Sequence, residues 1–464
     1  MAMRRTKIVA TIGPACDSPG VLHDVLAAGA DVARLNASHG TLEDLARRLA
    51  AVRAEAEGLG LIVGVLLDLP GPKIRVGDMA EGVVLAEGAV FRLEAADCAG
   101  DAAHACITYD GLAADVKRGD RILLDDGSIE LVVESSGAGA VVTRVTRGGA
   151  LTSHKGVNVP GVCLAVDGVT PHDLELLAWG LDAGVDMVAQ SFVRSAADVT
   201  RLRAAMGERA IPIVAKIEKY EALADLDAII ATADAVMVAR GDLAVETSPE
   251  AVPPAQRHIV AACRDAGKPV VVATQMLESM VSSPRPTRAE ASDVATAVFE
   301  GADAVMLSEE TAIGAFPAQA VGTMDRVCRS AEASGEPNLD THSGSGAAAP
   351  VAAAAVDLAR DTGSRAIVTT TQSGATARAV ARLRPTQPIV GLACVPSVAR
   401  ALAIVWGVVP AIGAAPTTIE QATTEALETV RALALAGAGE RVVLTAGTTS
   451  GIVGGSDLVR VLTV

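Results

Sequence analysis

Short unbroken runs of Val, Ile, Leu and Ala recur along the chain at KIVATIG (7–13), DVARLN (31–36), LIVGVLLD (61–68), DMVAQSF (186–192), IPIVAKIE (211–218), AVMVARGD (235–242), PVVVATQM (269–276) and ADAVMLSE (302–309). Continuous apolar runs predict strands buried on both faces, as in a parallel sheet. Between them, residues 21–28, 41–57, 195–206, 254–266 and 287–300 are rich in Ala, Leu and Arg at helical spacing. Strands alternating with helices in this way predict an α/β fold, a (β/α)8 TIM barrel.

The strings AGADVA, AGVDMV, ATADAV and EGADAV place Asp31, Asp186, Asp234 and Asp303 just ahead of the second, fourth, sixth and eighth strands. Small residues before each Asp suit a tight helix-to-strand turn. An Ala-rich α/β chain also produces such strings by chance, and the echo bears on fold alone. Residues 72–167 change character, with many glycines and short alternating segments such as DRILLDDGSIELVVES. They predict an inserted all-β domain after strand 3, at the barrel face that carries active sites, and hence a lid. Residues 333–349 read as a small, polar linker, and beyond it 366–377, 388–395 and 441–447 predict the strands of an open α/β domain. The expected division is 1–71 and 168–335 for the barrel, 72–167 for the lid and 336–464 for the C-terminal domain.

Half of the 464 residues are hydrophobic but only 2% are aromatic, so the core is aliphatic and an aromatic base-stacking surface is not expected. Lys and Arg total 39 against 55 Asp and Glu, a formal charge of −16. That charge repels nucleic acid and anionic membranes, and an anionic substrate must be held by a local basic cluster. Mean hydropathy is +0.38, yet no apolar run reaches the 18 or so residues of a membrane span, and MAMRRTKIVATIG has no signal-length apolar region. A cytoplasmic protein is expected. Seven cysteines without a CxxC pair predict neither a disulfide framework nor a structural zinc site, each thiol being a small buried residue.

Polar residues gather at the C-terminal ends of the predicted strands, in RLNASHG, LDLPGPKIR, QSFVR, AKIE, ARGD, ATQM and LSEET. A purely structural barrel has no use for Lys216, Glu218, Arg240 and Asp242 there, since unpaired charge near a core is costly. Glu218 and Asp242, ending adjacent strands, can converge on one hard cation such as Mg²⁺, which takes few protein ligands. Two carboxylates paired with neighbouring cations fit the same spacing, and spacing does not choose. Lys216, two residues before Glu218, shares its strand face, an ammonium suited to a transferring phosphoryl group. Arg34, Arg75 and Lys155 bring further positive charge to one mouth. The backbone N–H groups around Gly241 can hold a carboxylate, and Thr274 offers a hydroxyl. His39 is the only histidine in these segments, and a satisfied surface imidazole is a better reading of it than a general base. No GxGxxG, GxxxxGKS or HExxH pattern occurs.

The segments TKIVATIGPA, RLNASHG, SHKGVNVPG, AKIEK, VMVARGDLAVE, ATQMLESM, PTRAEASDVA and MLSEETAIGAFP, in order, resemble the pyruvate kinase family over nearly the whole chain. The resemblance implies transfer of the phosphoryl group of phosphoenolpyruvate to ADP in glycolysis by a homotetramer with a closing lid and a regulatory C-terminal domain. It implies Glu218 and Asp242 as ligands of Mg²⁺ or Mn²⁺, Lys216 as the residue stabilising the transferring phosphoryl, and Arg34 as the phosphate ligand. Gly241, Asp242 and Thr274 would hold the substrate carboxylate, Thr274 also serving protonation through water. Asn36, His39, Arg75 and Lys155 match the nucleotide side of the cleft.

Where many members carry DTKGPEIR this chain has LDLPGPKIR, placing Lys73 for the Glu and Leu69 for the Thr. That pairing resembles the potassium-independent subgroup, Lys73 supplying the charge of an ion otherwise held by Asn36, Ser38, Asp68 and the carbonyl of residue 69. The competing reading turns Lys73 to solvent. Glu309 and Ala244 stand where Gly is common in the family. TQSGATA lacks the lysine of the loop that binds fructose 1,6-bisphosphate in regulated relatives; Ser373, Gly374 and Thr376 remain able to cradle a phosphate. Two other readings of the site are a metal-dependent aldolase or lyase on the same barrel, needing no ADP, and a catalytically silent regulatory protein.

Overall fold

The computed structural model describes residues 3–95, 98–335, 348–447 and 456–464; most of the expected linker, 336–347, lies outside them. Eight parallel strands, Lys7–Thr11, Val32–Asn36, Gly64–Leu69, Met187–Gln190, Ile213–Ile217, Ala235–Ala239, Val270–Ala273 and Ala304–Leu307, close a barrel in chain order, the eighth pairing with the first. Nearly every residue of these strands is buried, which is why they read as continuous apolar runs. Val9, Val32, Leu66, Met187, Val214, Met237 and Val271 fill the interior, and their cluster runs on into the C-terminal domain through residues such as Ile367 and Leu402. Three of the outer helices start on capping boxes, Thr41 with Asp44, Thr170 with Asp173 and Thr287 with Glu290, which satisfy the first free N–H groups.

The repeated aspartates have one structural task. The carboxylates of Asp31, Asp186, Asp234 and Asp303 accept the backbone N–H of Ile8, Val65, Ile213 and Val270, at the start of the preceding strand, at 2.8–3.0 Å. Each also meets arginine: Arg4, Arg53 with Arg400, Arg203, and Arg384 respectively. Four carboxylates therefore tie off the N-terminal rim of the barrel two strands at a time, and Arg400 and Arg384 extend the ties into the C-terminal domain.

The insert forms a six-stranded sheet, ordered Val157–Asn158, Arg121–Leu124, Ile129–Gly137, Ala140–Arg147, Val90–Glu94 and His104–Cys106, around a core with Phe91 at its centre. It adds a two-stranded pair, Val84–Leu85 with Gly149–Ala150, and a one-turn helix, Leu112–Asp115. Asn158 is tied to the barrel: its amide donates to Glu246 at 2.7 Å, on the oxygen that Lys219 reaches at 2.8 Å. The C-terminal sheet has five strands, Val408–Ile412, Ile389–Ala393, Ile367–Thr371, Arg441–Ala446 and an antiparallel Leu458–Thr463. Both edge strands escaped the sequence reading, the first because Pro410 interrupts it and the second because its partly exposed residues lack an apolar run.

The cysteine expectation is corrected. Cys98 and Cys106 form a disulfide in the insert, where the loop before His104–Cys106 folds back on its own strand; an odd total does not exclude one local pair. Of the other five, Cys16, Cys263 and Cys328 are buried, Cys394 is half-buried and Cys163 is exposed. No helix among the described residues is long and apolar enough to cross a membrane.

Candidate active site

At the C-terminal mouth, neighbouring strands bring buried charge together. Arg34, on the second strand, donates through Nε to Asp68 Oδ2 on the third at 2.7 Å and through Nη1 to the Thr11 hydroxyl on the first at 2.9 Å. The other Asp68 oxygen lies 3.3 Å from Lys216 Nζ on the fifth strand. Lys216 also reaches Glu218 Oε1 at 2.9 Å and the Ser191 hydroxyl at 2.7 Å. Lys216 is 9% exposed and Glu218 only 1%. The alternation of side chains along a strand puts these two on one face.

Burial opposes the charge on Lys216, but Asp68 and Glu218 outweigh it and hold the ammonium above the usual lysine range. Asp68 is likewise burdened by burial yet held below the carboxylate range by Lys216 and Arg34. Glu218 goes the other way: burial, with nearby Asp242 adding to it, raises its pKa against the pull of Lys216. Its second oxygen accepts the Phe192 N–H at 2.7 Å, presented by a backbone with φ of +55°.

Gly241 and Asp242 lie in the first turn of a helix, Arg240–Glu246, directly after the sixth strand. The Gly241 N–H donates to the Thr274 hydroxyl at 2.9 Å. Thr274 and Gln275 have φ of +67° and +55°, a left-handed conformation that a β-branched residue adopts only under constraint. The constraint is Arg240. Its guanidinium donates to the Thr274 carbonyl at 2.6 and 3.2 Å and is braced by Asp293 at 2.6 Å. Arg240 stands at the C-terminal end of the sixth strand, where its charge is paired with Asp293 and its guanidinium closes over the carbonyls that end the seventh strand.

Lys73 does not turn to solvent. Its Nζ is 3.6 Å from Asp242 and 4.0 Å from Asp126 of the insert. The groups expected to correspond to a monovalent-ion site have partners within the chain: Asp68 in Arg34 and Lys216, the Leu69 carbonyl in the Ser191 hydroxyl at 2.7 Å, and the Asn36 side-chain oxygen in the Ser38 N–H at 3.1 Å.

A model of the pyruvate kinase barrel domain matches residues 3–321, and one of the pyruvate kinase alpha/beta domain matches residues 349–462. The chain belongs to the pyruvate kinase family. Pyruvate kinase 2 of Synechocystis sp. is 43% identical to it over 99% of this chain and 79% of that protein. Pyruvate kinase of Mycobacterium tuberculosis is 42% identical over 99% of this chain and 98% of its own length, and one of Agrobacterium vitis is 44% identical over 96% and 93%. The barrel with an inserted sheet and a C-terminal α/β domain is the fold expected of an enzyme of this family.

Of the residues expected on the nucleotide side, Arg75 donates to the His154 carbonyl at 3.0 Å and Lys155 pairs with Asp125 at 2.8 Å, both within the insert. His39 is exposed at the barrel mouth. Partial desolvation, followed by the positive charges of Arg75, Arg34 and Lys73, lowers its pKa, with Glu309 opposing. In the effector-loop segment, the Gly374 N–H donates to Thr371 Oγ1 at 2.8 Å, the Ser373 carbonyl accepts from Arg378, and Thr376 and Ser456 share a hydrogen bond of 2.6 Å.

Ser191 and Thr11 are contacts of the charged cluster that sequence reasoning passed over, as was the pairing role of Asp68. A hydroxyl on a strand carries no pattern of its own; only the QSF segment at a strand end pointed toward Ser191.

Proposed function

We propose that this chain transfers the phosphoryl group of phosphoenolpyruvate to ADP, giving pyruvate and ATP, the glycolytic reaction, with Mg²⁺ or Mn²⁺ and without K⁺. The observation that carries the reading is Lys216, buried and held charged between Asp68 and Glu218 beside Arg34.

The mouth joins three cations, Arg34, Lys73 and Lys216, to three carboxylates, Asp68, Glu218 and Asp242. Such a self-neutral cluster takes up a polyanion most readily together with a divalent cation. Glu218 and Asp242 are hard oxygen donors close enough to interact, and no group of three or more metal-ligating side chains occurs among the described residues. A carboxylate pair of this kind fits Mg²⁺, which keeps waters and substrate oxygens as further ligands. The metal, when bound, would supply charge neutralisation between the two phosphorylated substrates.

Arg34 and Lys216 would bind the substrate phosphate. The Gly241 and Asp242 backbone, with the Thr274 hydroxyl, would hold the carboxylate; the contact of the Gly241 N–H with the Thr274 hydroxyl supports this reading by setting the two groups side by side. As the enolate oxygen leaves phosphorus with the bonding pair, an ADP oxygen forms the new P–O bond, and Lys216 stabilises the charge spread over the phosphoryl oxygens. Protonation of the enolate carbon, through water near Thr274, completes pyruvate.

Asn36, His39, Arg75 and Lys155 would line the nucleotide side, with residues 72–167 closing as a lid over a barrel of 1–71 and 168–335, and 336–464 as regulatory domain. Ser373, Gly374 and Thr376 remain the effector-loop candidates. A cytoplasmic homotetramer completes the reading. The test is pyruvate formation from phosphoenolpyruvate with Mg²⁺, with and without ADP, tetramethylammonium replacing K⁺ at constant ionic strength. ADP-dependent turnover without K⁺ is expected. Turnover only with K⁺ would remove the role of Lys73 alone, and ADP-independent turnover would sink the kinase reading.

A further inference from the structure

At the opposite end of the barrel from the mouth, the N-terminal rim meets the C-terminal domain in a crevice lined by Arg264, Lys268, Arg378, Arg382, Arg384 and Asp303. Five cations thus face one carboxylate, in a chain whose formal charge is −16. Asp303 is already committed to the Val270 N–H at 3.0 Å and to Arg384 at 3.3 Å. Asp265 lies 4.0 Å from Arg264, and no carboxylate among the described residues forms an ion pair with Lys268, Arg378 or Arg382. These three hold backbone carbonyls instead, Lys268 that of Ala233, Arg378 that of Ser373 and Arg382 that of Arg264.

Arg384 is the decisive residue. It is 8% exposed, its φ is +49°, and its guanidinium lies 4.7 Å from the Trp406 ring. Only Nη2 is satisfied, by the Gly301 carbonyl at 2.8 Å and Asp303, while Nε and Nη1 are buried without a partner. Arg264 Nε is in the same condition. Unsatisfied buried donors on a cation are costly, and a docking role alone does not require them. Burial also lowers the pKa of Lys268 and of Arg378, with Asp234 as the chief opposing charge for each. All of these strains are relieved by one kind of ligand, a compact anion with several acceptor oxygens.

We infer that this crevice between barrel and C-terminal domain is a binding site for a phosphate group, free or as the phosphomonoester of a small metabolite. Arginine forks and a lysine suit phosphate oxygens, and the free donors of Arg384 and Arg264 are the ones a phosphate would satisfy. The site lies apart from the reaction and borders the Ser373–Thr376 loop through Arg378, which donates to the Ser373 carbonyl at 3.1 Å. The helix Ala375–Arg382 connects the two, beginning beside the loop and ending with Arg382 in the crevice.

The test is isothermal titration of the full chain with inorganic phosphate and, in a second arm, glycerol 3-phosphate. Lys268→Gln and Arg382→Gln change partly exposed residues, and their thermal unfolding is compared with wild type. Binding to the wild-type chain that weakens at least about tenfold in both variants is expected, the loss of one charge-assisted hydrogen bond. Phosphate held at Arg34 and Lys216 is distinguished because these substitutions lie at the far end of the barrel. Absence of a binding event in the wild-type chain, or superimposable isotherms for wild type and both variants, overturns the site. So does an equal loss in Ser373→Ala or Thr376→Ala with none in the crevice variants. Tighter binding of glycerol 3-phosphate assigns the site to a phosphomonoester; tighter binding of inorganic phosphate assigns it to the free ion. Binding is read without turnover, so failure here leaves the proposed reaction standing.

Discussion

The guanidinium of Arg240 grips the carbonyl of Thr274, at 2.6 and 3.2 Å, and so fixes a threonine whose φ is +67°. The hydroxyl that meets the Gly241 N–H is therefore aimed by a neighbour that touches the threonine only through its backbone carbonyl. A left-handed β-branched residue costs on the order of 1–3 kcal/mol unless its surroundings over-determine it.

Arg240→Lys retains a charge for Asp293 but loses the fork on the carbonyl. The expected result is a folded protein whose KM for phosphoenolpyruvate rises at least about tenfold, one transition of 1.4 kcal/mol, with KM for ADP little changed. Steady-state kinetics with each substrate varied in turn decide it, and equal effects on both KM values would count against the positioning role.

Lys216→Met removes the ammonium between Asp68 and Glu218. Turnover should fall by at least about 10²-fold, the scale of one lost transition-state charge contact. Circular dichroism checks that the fold persists, and near-normal kcat would take Lys216 out of the mechanism.

Lys73→Glu puts a carboxylate beside Asp242 in place of the ammonium 3.6 Å away. Activity in tetramethylammonium should drop and be restored by K⁺, whereas the parent chain stays indifferent to the exchange. A variant equally indifferent to K⁺ would show that Lys73 does not stand in for a cation.

His39 has its pKa lowered by partial desolvation and by Arg75, Arg34 and Lys73, so the folded chain favours the neutral ring. As pH falls through the unfolded value of about 6.5, the unfolded chain takes the proton more readily, and the stability associated with the neutral ring is lost. Proton NMR should find the His39 midpoint below about 6.5, moving upward in Arg75→Ala; a midpoint unaffected by that substitution would refute the coupling.

Asp186 is fully buried between Arg53 and Arg400 and accepts the Val65 N–H at 2.8 Å. Asp186→Asn should lower stability by about 3–5 kcal/mol, the range for breaking a buried pair, while kcat is retained. Denaturant unfolding measures it, and a change under about 1 kcal/mol would deny the rim aspartates their structural role.

The eight barrel strands were legible because a strand buried on both faces must be apolar along its length, and that is a local property of sequence. The charged residues at their ends were legible for the complementary reason, since charge beside a core demands an explanation. Lys216 and Glu218 could even be placed on one face from their spacing. The rim aspartates were visible as a repeat, but their four shared hydrogen-bond partners were not.

What the sequence alone determined is therefore the alternation of strands and helices, the insert, and the family of the chain. Tertiary structure decided the rest. It set Arg240 on the Thr274 carbonyl, placed Asp68 between Arg34 and Lys216, paired Cys98 with Cys106, and brought Arg264 and Lys268 against Arg378, Arg382 and Arg384. Burial and period are imprinted residue by residue along a chain. Whether two side chains meet, across eight residues or across a hundred, is set only when the strands pair, the barrel closes and the last domain docks on its rim, and the apolar pattern does not record it.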